Sequence, residues 1–168
     1  DLVRSRGLGD VYKRQLIQGG TGIYGDSYVN PEAFPESYEA GTLNMPAIWA
    51  LKNAVEYINE HISEMNKTES GLTQYLVKSM TALPNVIVYN ADKPRVSTLA
   101  FNVKGKSSSD VVALLDKNGI CVRGGIHCAI LAHETLGTVK SGAVRVSMNS
   151  YNTKDEIDAF IKVIGGIN

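Results

Sequence analysis

Pro84 divides this chain into two kinds of pattern. Before it, apolar residues recur every three or four positions: Ile48, Leu51, Val55, Ile58 and Ile62 within residues 46–62, then Leu72, Leu76, Met80 and Leu83 within residues 68–83. After it, apolar and polar residues alternate, in NVIVY at 85–89 and VSTLAFNV at 96–103. Helical side chains return to one face every 3.6 residues and strand side chains every second residue, so the change of period is a change of structure. The first part predicts two helices, each burying one stripe. Asn44 supplies a cap and Pro46 a first-turn proline, while Pro84 lacks the amide proton needed to continue a helix. The second part predicts strands joined by the turn-rich NADKPR.

Further along, Ser107 to Ser109 cap a short helix through Leu115, closed by Asn118 and Gly119. ICVR at 120–123 reads as a short strand entering a loop, and AVRVSMN at 143–149 as another strand. Thr153, with Glu156 three residues later, forms a capping box for a terminal helix. The order helix, helix, strand, strand, helix, strand, strand, helix predicts a small α+β layer domain. At 168 residues and 43% hydrophobic composition, one compact unit with a real core is the expectation.

Charge narrows the function classes. Lys plus Arg and Asp plus Glu both number 17, so no global field attracts nucleic acid or an anionic membrane. No apolar run approaches the roughly 20 residues that span a bilayer, and the N-terminus lacks the order of a signal peptide, so a cytoplasmic location is expected. Two cysteines, Cys121 and Cys128, do not suggest a secreted disulfide scaffold, and both are expected reduced. Residues 1–15, DLVRSRGLGDVYKRQ, carry neither period and read as a non-native or disordered segment. Residues 16–45 are rich in Gly, Pro, Ser and Tyr, the composition of a functional loop, and residues 46–168 form the expected domain.

The chemistry concentrates in RGGIHCAILAH, Arg123 to His133. A thiol reacts as the thiolate, and Arg123, His127 and His133 would favour that form of Cys128. The alternative is a small buried hydrophobe. Cys121 lies in the apolar run ICV and is expected in the core. A zinc site is disfavoured, because adjacent His127 and Cys128 can hardly both turn toward one ion. A Cys-His hydrolase has only sequence adjacency to support it. Arg145, inside AVRVS, falls on the face opposite Val144 and Val146; it is either a bidentate clamp for a carboxylate or one half of a structural salt bridge. Gly41 and Thr42, just before a helix, form either a phosphate cradle or a simple cap. Gly20, in GGTG at 19–22, marks a permissive turn able to approach a cofactor.

In order, GGTG, YEAGTLN, the helical region, VRGGIHCAILAH and AVRVSMNSYNTKDEID resemble the C-terminal part of the cysteine desulfurase family, class V enzymes of pyridoxal phosphate fold-type I. The resemblance runs from Leu16 to the end. It implies the small domain of that fold, a short, mostly antiparallel sheet packed with helices, and a homodimer acting on L-cysteine. It further implies that Cys128 accepts sulfur as a persulfide, that Arg145 holds the substrate carboxylate, and that Arg123 assists at the entrance. His127 and His133 would tune the thiol or transfer protons. Thr42 would reach the cofactor phosphate of the partner subunit, Gly41 and Gly20 would also belong to the cofactor-binding residues, and a sulfur-acceptor protein would take the product sulfur. Relatives with this loop often read CAPLAH, whereas Ile130 stands here in place of the proline. The lysine that holds the cofactor belongs to a preceding large domain, so the chain alone is expected to be inactive. A selenocysteine lyase-like or other class V enzyme, and a standalone thiol carrier or interaction module, are the competing expectations.

Overall fold

In this computed structural model the protein is described over residues 33–39 and 41–167. The expectations for residues 1–15 and for Gly20 lie outside the described residues. The chain divides into two compact units, residues 1–60 and 61–168, whose boundary falls within one long helix.

The described part of the first unit holds a short 3-10 turn, Glu36–Tyr38, and the beginning of helix α1, Met45–Thr81. Asn44 caps α1 by accepting the Ala47 N–H on its side-chain oxygen at 3.1 Å. The two helices expected over 46–62 and 68–83 are this one continuous helix. Residues 63–67, SEMNK, interrupt the apolar period but contain neither glycine nor proline, so the loss of period marks exposure and not a break. The predicted buried stripe is also corrected. Ile48, Leu51, Val55, Ile58 and Ile62 share a helix face, yet each is between 42% and 65% exposed. Helical spacing reports that a stripe can be buried, and no described element covers this one.

The second unit builds its core on one face of a four-stranded antiparallel sheet. Its strands are β1 (Val86–Val88), β2 (Thr98–Val103), β3 (Arg123–Gly125) and β4 (Ala143–Ser147), in the order β1-β2-β4-β3. Helices α2 (Ser108–Lys117), α3 (Ile130–Leu136) and α4 (Lys154–Gly165) complete it. Leu99 and Phe101 of β2 and Val144 and Val146 of β4 point into the core, where Leu76 and Met80 of α1, Leu115 of α2 and Ile164 of α4 meet them. Phe101 and Phe160 pack edge to face, with ring centroids 5.8 Å apart. Each such side chain contributes roughly 1.5–3 kcal/mol by leaving water.

The expected capping box of Thr153 with Glu156 is present, and the cap expected at Ser107 is itself a capping box completed by Asp110. The strand expected over 120–123 pairs instead at Arg123–Gly125, and the last strand is confined to Ala143–Ser147. Helix α3 has no counterpart in the sequence reading, because seven residues are too few to show a period. Among the described residues no helix is long and apolar enough to cross a membrane.

Candidate active site

Strands β3 and β4 set the charged part of the site. Their register places Arg123 directly opposite Arg145, and residues opposite one another in an antiparallel pair share a face. That face lies away from the core, since Val144 and Val146 on either side of Arg145 are buried. Two like charges facing across a ladder repel. Among the described residues, neither arginine has a carboxylate within ion-pair distance. A structural salt bridge for Arg145 is therefore absent from this part of the molecule, and the pair is left as a cationic edge. The edge is held by close backbone packing: a side chain at Gly124 would meet Val112 at 2.8 Å and the Ser108 carbonyl at 3.0 Å, both in α2.

The thiol loop leaves β3 through a tight turn. His127 (φ 54°) and Cys128 (φ 58°) are both left-handed although neither is glycine, a conformation that costs roughly 1–2 kcal/mol per residue. A turn bond from the Ala129 N–H to the Ile126 carbonyl, 3.0 Å, closes it. His127 places Nε2 3.0 Å from the Ala143 carbonyl. A carbonyl only accepts, so Nε2 carries the proton and Nδ1 presents a lone pair, which is buried without a partner. Burial holds the His127 pKa below its ordinary value, with Arg145, Arg123 and His133 adding to the depression against the opposing bond to Ala143. The depression favours the neutral imidazole, whose bond to Ala143 ties the loop to the edge of β4.

Cys128 is exposed at the head of this turn. The segment after it is not irregular loop throughout, since α3 starts at Ile130. His133 is 5% exposed, its Nδ1 shares a 2.8 Å hydrogen bond with the Thr138 hydroxyl, and its ring centroid lies 6.1 Å from that of His127. The core placement expected for Cys121 is wrong: this cysteine is exposed. Ile120 and Val122 pack against the core, so the stretch alternates and its middle residue faces outward. Gly41 and Thr42 lie in the first unit, both exposed, with Gly41 at φ 79° and nothing within 4 Å of the side chain it lacks. Asn44 does the capping, and the Thr42 hydroxyl has no hydrogen-bond partner among the described residues.

Residues 9–160 match the aminotransferase class-V family. A probable cysteine desulfurase from Synechocystis sp. is 31% identical over 170 residues, covering 93% of this chain and 40% of that protein. The apo structure of a cysteine desulfurase from Thermococcus onnurineus NA1 superposes with a TM-score of 0.71 at 31% identity, over 89% of this chain and 38% of that one. A C-DES mutant with glycine covalently linked to its PLP cofactor shares the fold alone, with a TM-score of 0.66 at 15% identity over 90% of this chain and 36% of that one. The chain spans about 40% of the length of the curated relatives it matches.

Proposed function

From the premise that the chain belongs to the aminotransferase class-V family, we propose that it is the C-terminal part of a pyridoxal phosphate-dependent cysteine desulfurase that converts L-cysteine to L-alanine. One observation carries the proposal. A single short segment presents an exposed thiol, Cys128, five residues after an arginine that faces a second arginine, with no carboxylate paired to either among the described residues. Two cationic forks without an internal anion suit a substrate carboxylate, which a guanidinium binds through two parallel hydrogen bonds.

In this reading Arg145 binds the carboxylate of L-cysteine and Arg123, exposed at the strand edge, assists its entry. The Cys128 thiolate attacks the substrate sulfur; the new S–S bond forms as the substrate Cβ–Sγ bond breaks, the bonding pair stays with Cβ, which takes up a proton to become the methyl group of alanine, and Cys128 is left as a persulfide. When bound, the cofactor supplies the electron sink that makes that cleavage possible. His127, tied to Ala143, orients the turn that carries the thiol, while His133 is held by its bond to the Thr138 hydroxyl with its ring 6.1 Å from that of His127.

The residues present fit the cofactor phosphate at Thr42, which is exposed and whose hydroxyl has no hydrogen-bond partner among the described residues, next to the open backbone of Gly41. Thr42 and Gly41, with Gly20, are proposed to hold that phosphate, Thr42 across a homodimer, and residues 46–168 to form the small domain that residues 16–45 join to the active site. An acceptor protein in the cytoplasm would collect the persulfide sulfur from exposed Cys128. The test is sulfide release from L-cysteine by the intact enzyme. Cys128→Ala is expected to abolish it, and undiminished release would remove the nucleophile from the reading.

A further inference from the structure

Arg145 also belongs to a second arrangement that the desulfurase reading does not use. Tyr89, just after β1, donates its backbone N–H to the Ala100 carbonyl at 3.0 Å; Ala100 pairs with Arg145, and Arg145 with Arg123. The four residues form one row across the sheet, on the face away from the core. Ala100 is the only small side chain in that row, and Tyr89, Ala100 and Arg145 all line a common gap on that face. The gap opens into a cavity of about 440 Å³ walled by Lys93 and Arg95 of the β1–β2 turn.

The composition of the walls is one-sided. Lys93, Arg95 and Arg145 line the cavity and no Asp or Glu does. Arg95 is half-buried and anchored, its Nη2 donating to the Asn90 carbonyl, with Asn90 in the left-handed region at φ 53°. The Tyr89 hydroxyl has no hydrogen-bond partner among the described residues, and burial pushes its pKa up, so it remains a donor. Asp92 pairs with Lys93 at 3.3 Å, but it does not line the cavity, and both side chains are largely exposed. Arg95 and Arg145, neither with a carboxylate partner among the described residues, repel each other until an anion shares them, and guanidinium groups match the spacing of oxyanion oxygens.

We propose that the cavity over Ala100 binds a small dianionic oxyanion of the phosphate or sulfate kind, bridged between Arg95 and Arg145 with Tyr89 and Lys93 as further donors. The site shares Arg145 with the proposed substrate carboxylate but rests on Arg95, Lys93, Tyr89 and the small side chain of Ala100.

Isothermal titration of the chain with inorganic phosphate, at ionic strength held constant with chloride, tests it. Saturable binding is expected, weakened about tenfold or more in Arg95→Gln, as follows from losing one charge-assisted contact. Ala100→Leu keeps every cation but fills the gap and is expected to weaken binding about as much, with Tyr89→Phe as the milder probe should the leucine variant fail to fold. No saturable binding, or binding indifferent to Arg95→Gln and to Tyr89→Phe, overturns the proposal. Either result leaves sulfide release by the Cys128 variant untouched, so the two readings fail independently.

Discussion

The two faces of the four-stranded sheet are made by the same strands and do opposite work. On one face Phe101, Val144 and Val146 are sealed against helices α1 and α4. On the other, one residue away along each strand, Ala100, Arg145 and Ser147 stay accessible, and Arg145 meets Arg123 with no acid paired to either among the described residues. The difference teaches that alternation in AVRVS separates stability from chemistry at the scale of a single residue. A substitution on the core face should unfold the domain, and one on the open face should change what it binds.

That separation can be broken most severely at the thiol. Cys128→Ala is expected to lower sulfide release by the intact enzyme about a thousandfold or more while leaving the melting temperature nearly unchanged. On the core face, Phe101→Ala should destabilise the domain by about 3–5 kcal/mol, measured by urea unfolding, because it removes a fully buried ring that Phe160 packs against. Arg145→Lys keeps the charge but loses the planar fork, so the KM for L-cysteine should rise about tenfold with folding intact; an unchanged KM would return Arg145 to a structural role.

His127, bonded to Ala143 at the start of β4, gives a pH signature. Its folded pKa lies below its unfolded value of about 6.5, so the unfolded chain binds the proton more readily. Its contribution to stability is complete above the unfolded pKa and is lost as pH falls from there toward the folded pKa. Thermal melts of the chain should therefore drop as pH falls below about 6.5, and His127→Gln, which keeps a donor but does not titrate, should flatten part of that drop. The smallest effect belongs to Cys121→Ser, expected within about 0.5 kcal/mol of the parent because the residue is exposed.

Much of this division was legible in the sequence. The change of period at Pro84, the Thr153–Glu156 capping box, the cap at Ser107 and the face assigned to Arg145 follow from local rules that the structure obeys. Three features escaped for physical reasons. Local pattern cannot say which stripes find a partner, so Ile48, Leu51 and Val55 were expected inside and stand exposed. ICV has no polar residue to reveal its alternation, which hid the outward turn of Cys121. The cationic cavity joins residues from the β1–β2 turn to β4, and only the sheet register brings Arg95 and Arg145 to one space. The reactive loop was visible as a motif, but its left-handed turn and the bond from His127 to Ala143 depend on a strand sixteen residues away.

The most direct measurement is to locate the transferred sulfur. The intact enzyme is given L-cysteine, its thiols are alkylated, and its peptides are weighed by mass spectrometry. One additional sulfur atom is expected on the peptide carrying Cys128 and none on the peptide carrying Cys121, although both cysteines are exposed. Sulfur on Cys121, or sulfide released with none ever bound at Cys128, would contradict the assignment of Cys128 as the residue that takes it.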